Sequence, residues 1–245
     1  MSGLSTSPAA LLRPGLLDGV AVLVCGPPSP VAPAAVSGSA GSSSASVSSP
    51  AEGVFAAAVG DACAALGASV SRWAPEPDPV GVGEAQAVDS SLTAGRSAEA
   101  AMRATDVLAV DGAGLFAEAR AHGGGGHAAL RACLDGAWDA THAVVNHAFL
   151  AGGPRDGHPG AAHGAGRIVY IAPRPDAGEH SDAARAGLEN LARTLSIEWA
   201  RYGVTTVAVA PGAHTSGEQA ATLVAYLASP AGAYFSGCQL DLRGV

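Results

Sequence analysis

The sequence predicts a single doubly wound α/β domain, with a mostly parallel sheet and helices on both faces. Two observations carry that expectation. Short β-branched apolar runs alternate with helical patterns along the chain, and Gly or Pro stops most of them. The length of 245 residues suits one such domain with a substantial core, whereas two would be cramped.

The elements follow in order. Residues 18–25, DGVAVLVC, read as a buried first strand stopped by Gly26-Pro27-Pro28. Residues 29–50 are Ser, Ala, Gly, Pro and Val without charge. Such a stretch buries too little to offset its ordering entropy and reads as a mobile insert. An Ala-rich helix is expected over Val54–Leu66, with Val54, Ala58, Ala62 and Ala65 on one stripe and Gly67 as its stop. Ala68-Ser69-Val70 opens a second strand. A Pro/Gly-rich stretch, 74–83, leads to a weak helix over 98–105.

The second half is more regular. Val107–Val110 is a buried strand ending in Asp111-Gly112-Ala113-Gly114. Residues 128–149 form a long helix, 152–166 a Gly/His/Pro loop, and Arg167–Ala172 a strand. Ser181–Arg201 is the clearest helix, with Leu188, Leu191, Leu195 and Trp199 on one face. Val204–Ala210 is a strand closed by Pro211-Gly212. A helix over Glu218–Ala228 and a strand near Cys238–Leu242 complete the alternation, which is Rossmann-like.

Composition removes several classes of function. The 13 basic residues, all arginine, stand against 21 acidic ones, a net charge of −8 that argues against nucleic acid as a partner. No apolar run approaches the length of a membrane span, and the first twenty residues lack a secretory pattern, so cytoplasmic residence is expected. Cys25, Cys63, Cys133 and Cys238 are far apart and read as buried thiols rather than a zinc cage or disulfide framework. His122/His127 and His142/His147 have i, i+5 spacing. That places their side chains on different helix faces, so surface histidines and no metal site are expected.

From Gly166 onward the order and spacing of several segments are specific. They are Ala186-Gly187-Leu188-Glu189-Asn190-Leu191, Leu195-Ser196-Ile197-Glu198, Tyr202-Gly203-Val204, Val207–Gly212, Tyr226–Pro230 and Ser236–Asp241. In these the chain resembles the short-chain dehydrogenase/reductase family; residues 18–150 match only in outline. The resemblance implies a dinucleotide-binding fold and oxidoreductase chemistry through a Ser, a Tyr-x-x-x-Lys pair and a glycine-rich phosphate loop.

Every position carrying that chemistry departs from the family pattern. Cys25-Gly26 is followed by Pro27-Pro28, and Val54 and Ala56 stand where the last two loop glycines belong. Ala172-Pro173 replace the Ser pair, Ser181 falls at the Tyr position, and Arg185 replaces the Lys. Cys133 replaces the helper Asn, and Asp111–Gly114 the Asn-Asn-Ala-Gly strand end. Only Ala213–Gly217 separate Pro211-Gly212 from the last helix, too few for a substrate lid, so any remaining cavity is expected to be shallow. His180 with Arg185 is readable as an improvised acid/base pair. The preferred reading is a polar helix start capped by Asp182 or Ser181.

No catalytic, cofactor-binding or metal-binding residue is therefore assigned, and no cofactor is expected. The leading expectation is a non-catalytic subunit that pairs with an active relative of the same fold, or with itself. Leu188, Leu191, Leu195, Trp199, Tyr234, Phe235 and Leu240 are candidates for the assembly surface. The alternatives are a divergent oxidoreductase acting on a small carbonyl, hydroxyl or acyl-thioester substrate, and a small-molecule or acyl-binding module.

Overall fold

A computed structural model describes residues 11–27, 55–74, 98–150 and 166–244. Six strands form one sheet: β1 (Ala21–Cys25), β2 (Ser69–Trp73), β3 (Val107–Asp111), β4 (Arg167–Ile171), β5 (Thr205–Pro211) and β6 (Cys238–Leu242). Every pairing is parallel and the order is β2-β1-β3-β4-β5-β6. The strand order reverses between β1 and β3, so the carboxyl ends of these two strands flank the switch-point crevice where this fold class binds ligands. The helices are α1 (Ala56–Ala65), α2 (described over 98–103), α3 (Gly112–Ala121), α4 (Gly126–Val144), α5 (Ser181–Glu198) and α6 (Gly217–Ala228).

Strand alternation divides the core into two layers. Leu23, Leu108, Val110, Ile168, Tyr170 and Ala208 face one side and pack with α4 and α5 through Cys133, Ala137, Leu188 and Ala192. Val22, Val24, Ala109, Val169, Val207 and Val209 face the other and pack with α1 and α6 through Val59, Cys63, Val224 and Leu227. The Tyr170 hydroxyl is a polar tip deep in the first layer. It lies 2.8 Å from the Thr141 hydroxyl, which satisfies it, and burial pushes its proton affinity up.

Three sequence expectations need correction. Helix α3 covers Gly112–Gly114, read as part of a strand end, and residues 115–121, to which no element was assigned; Gly112 and Gly114 in its first turn hide it from propensity. In α1 the buried stripe is Ala56, Val59, Gly60 and Cys63, while Ala65 is exposed. Alanines at most positions give no phase, and the bulkier Val59 and Cys63 set it. Helix α4 stops at Val144 and continues as a π-helical turn, Val145–Phe149. The insert at 29–50, Pro28 and Val54 lie outside the described residues.

Candidate functional site

The crevice between β1 and β3 is built around one buried carboxylate. Asp111, the last residue of β3, is fully buried. Its Oδ2 accepts hydrogen bonds from the Phe55 amide at 2.6 Å and the Ala56 amide at 2.8 Å, and its Oδ1 accepts one from the Gly114 amide at 2.8 Å. The first two donors start α1 and the third lies in the first turn of α3. One side chain thus caps two helices, meeting the orphan N–H groups and the positive dipole end that a helix start presents. Burial raises the Asp111 pKa to about 6, and the three amides pull against that rise.

Two glycines pack closely around this carboxylate. A methyl added at Gly26 would stand 3.1 Å from the Ala56 Cβ and 3.2 Å from the Asp111 Cβ. One added at Gly114 would lie 2.8 Å from the Pro27 ring and 2.7 Å from Asp111 Oδ2. A side chain at Gly114 would force its neighbours to shift, whereas one at Gly26 would need them to give by only a few tenths of an ångström. Pro27 brings no N–H into the loop. Two amides at the start of α1, those of Phe55 and Ala56, are thus engaged by Asp111 rather than open to an external phosphate.

At the positions the resemblance implies for proton transfer, Ser181 and Arg185 bond to backbone carbonyls. Arg185 lies on the inner face of α5, with 8% of its surface exposed. Its guanidinium donates to the Pro173 carbonyl at 2.6 Å and the Pro211 carbonyl at 2.8 Å, tying the carboxyl ends of β4 and β5 together. Ser181 donates to the Pro175 carbonyl at 2.8 Å. Cys133 is completely buried beside Gly112, and burial, with the Asp111 charge adding, raises its thiol to about 12. Arg174 lies across the mouth of the crevice, donating to the Thr215 carbonyl at 2.6 Å, with its guanidinium carbon 5.2 Å from the centre of the Phe55 ring.

The expected polar helix start takes another form. Neither Asp182 nor Ser181 caps α5; the N-cap is His180, in left-handed backbone with φ +67° and no side-chain cap bond. Its ring is part-exposed, against Gly126, and Nε2 lies 3.5 Å from a Glu179 oxygen. No hydrogen bond joins it to Arg185, whose donors point to the strand ends. His180→Gly is expected to raise stability by about 0.5–1 kcal/mol, because Gly adopts this backbone without the Cβ clash. Urea denaturation checks this; a loss of stability, or a tenfold fall in turnover of any complex containing the chain, would restore a working role to the imidazole.

The remaining candidates separate cleanly. His122, His127, His142 and His147 are exposed, and His142 stacks on Trp138 at 6.0 Å. Among the described residues no three His, Cys, Asp or Glu side chains converge as metal ligands would. Cys25 and Cys63 are buried and Cys238 half-buried, and burial raises all three thiols. A cavity of about 220 Å³ lies at the β1–β2 side, lined by Val24, Gly26, Pro27, Ala56, Arg72, Trp73 and Ala74. It is smaller than typical ligand pockets. Arg72 turns over α1, 3.3 Å from the Ala57 carbonyl and 3.5 Å from Asp61. No described helix is long and apolar enough to cross a membrane.

Comparison with known proteins places this geometry in a fold. No family model matches the chain, and no curated protein matches it in sequence. Solved structures do. A short-chain dehydrogenase from Mycobacterium smegmatis superposes with a TM-score of 0.56 at 20% identity, covering 93% of both chains. The citronellol catabolism dehydrogenase AtuB of Pseudomonas aeruginosa PAO1 gives 0.54 at 21% identity, covering 95% of this chain and 96% of that one. A putative NAD(P)-dependent gluconate 5-dehydrogenase from Beutenbergia cavernae, with bound NADP, gives 0.54 at 21% identity, covering 94% and 97%. The fold is that of the short-chain dehydrogenases/reductases. Within it, Asp111 and Arg174 are the site residues that sequence reasoning left without a role.

Proposed function

We propose that this chain is a non-catalytic subunit with the short-chain dehydrogenase/reductase fold, which pairs with a catalytically complete relative and stabilises or regulates it. The observation carrying this reading is Arg185. The residue at the family's lysine position is turned onto two backbone carbonyls, where it serves packing rather than a reacting group. The engagement of the Phe55 and Ala56 amides by Asp111 supports the same conclusion for the cofactor. In place of chemistry the chain offers surfaces: the adjacent helices α4 and α5, and the outer strand β6 with the segment before it. Trp138, Ile197 and Tyr234 are exposed on these elements. Pairing surfaces in symmetric assemblies are self-complementary, so a relative of similar shape substitutes for one copy without a new interface.

Two measurements test the reading. The isolated protein is expected to bind neither NAD nor NADP in a calorimetric titration; a dissociation constant in the low micromolar range or tighter would overturn the non-catalytic assignment. Co-expression with intact short-chain dehydrogenases, followed by size-exclusion chromatography with mass determination, is expected to yield a mixed oligomer. A stable monomer or pure homo-oligomer, with the partner equally active alone, would sink the pairing.

A further inference from the structure

We propose that Asp111 is an intramolecular anion: its carboxylate occupies the donor set at the starts of α1 and α3 and takes the place of an external anionic ligand in holding them. Three features of the geometry carry this. Both oxygens are used, one toward each helix, so the group acts as a bridging anion rather than a single-helix cap. Two of the three donors are consecutive amides at a ten-residue helix start, the arrangement that receives phosphate or carboxylate in many proteins. Finally, Gly26 and Gly114 leave room for the carboxylate and Pro27 and little more.

Charge is central to the inference, beyond shape alone. Among the described residues, the titratable groups facing Asp111 are the thiols of Cys25 on β1 and Cys133 on α4, both held neutral. The ionised carboxylate therefore relies on the three amides for its stabilisation. Because the folded-state pKa of about 6 lies above that of an unfolded Asp, the sign of the linkage is fixed. The group's contribution to stability is full when it is protonated in both states, and it falls as pH rises through about 6. Ionisation is costly here, and the amides limit the cost.

Chemical rescue separates an anion requirement from a packing requirement. Asp111→Ala removes the carboxylate and leaves room for formate. At neutral pH its melting temperature is expected to lie about 5 °C or more below the wild type, since three buried donors lose their partner. Tens of millimolar sodium formate should recover at least half of that loss relative to matched sodium chloride, with no matching effect on the wild type. An unchanged melting temperature, or an equal response of both proteins to formate, would overturn the proposal. Should the variant fail to fold, wild-type NMR decides. The Phe55, Ala56 and Gly114 amide shifts should titrate together with a midpoint near 6, and independent or absent titration would overturn it. Neither measurement depends on a partner subunit, so failure here is distinct from failure of the pairing.

Discussion

Replacing Arg185 with methionine is expected to cost about 3 kcal/mol of folding free energy. The stem of the side chain is retained by the substitution, so packing within α5 is largely preserved. What disappears is the guanidinium that donates to the carbonyls of Pro173 and Pro211 at 2.6 and 2.8 Å. Both acceptors are at the carboxyl ends of central strands and are buried, and each buried polar group left without a partner costs about 1–3 kcal/mol. Arg185→Lys should fall between wild type and Met, because an ammonium is a compact donor that does not reproduce the planar fork. Urea denaturation with an unchanged m-value measures both losses. A loss below about 1 kcal/mol for the Met variant would contradict the bridging role. If Arg185→Lys folds and assembles normally yet lowers a complex's turnover tenfold, about 1.4 kcal/mol of transition-state stabilisation, the residue is catalytic after all.

Much of the fold was legible because the sheet is parallel and buried on both faces. Its inner strands β1, β3, β4 and β5 are mostly apolar, largely buried runs rich in β-branched residues, while the edge strands β2 (SVSRW) and β6 (CQLDL) are only partly buried. Helix α1 was legible in position but not in phase, since alanine carries little directional information. Helix α3 was missed for a different reason. Asp111 followed three residues later by Gly114 contains a helix-start signal, an Asp that accepts from a first-turn amide. Asp111 does end β3 as expected, and it caps α3 at the same time, a second role that the strand-end reading did not include. The departures at the phosphate loop were visible as Pro27 and Ala56. The carboxylate that engages the start of α1 was not, because Asp111 and Phe55 are 56 positions apart in sequence. The same limit applies to Arg185, whose acceptors are backbone carbonyls and leave no trace in the residue pattern.

The face of α5 is where periodicity misled most, and it supplies the second large expected effect. A 3- or 4-residue apolar spacing marks burial without saying against what. Leu188 is fully buried and Leu195 nearly so in the chain's own core, packed with α4 and the sheet, so they are unsuited to the assembly surface expected of them. Leu191, Trp199, Phe235 and Leu240 are partly buried, with Phe235 against Tyr226 at 6.1 Å. The large apolar side chains that face outward there are Ile197, 79% exposed, and Tyr234, 92% exposed. Leu188→Ala is therefore expected to lower folding stability by about 3 kcal/mol, as removal of a buried leucine leaves a cavity that the sheet cannot collapse into. Ile197→Asp and Tyr234→Asp should leave the subunit's own stability within about 0.5 kcal/mol and weaken any mixed assembly at least tenfold. The two classes of variant thus separate folding from pairing when denaturation and size-exclusion mass are measured together. If the exposed-site variants assemble normally, the α5 and tail surfaces are not the contact, and the pairing proposal loses the surfaces on which it rests.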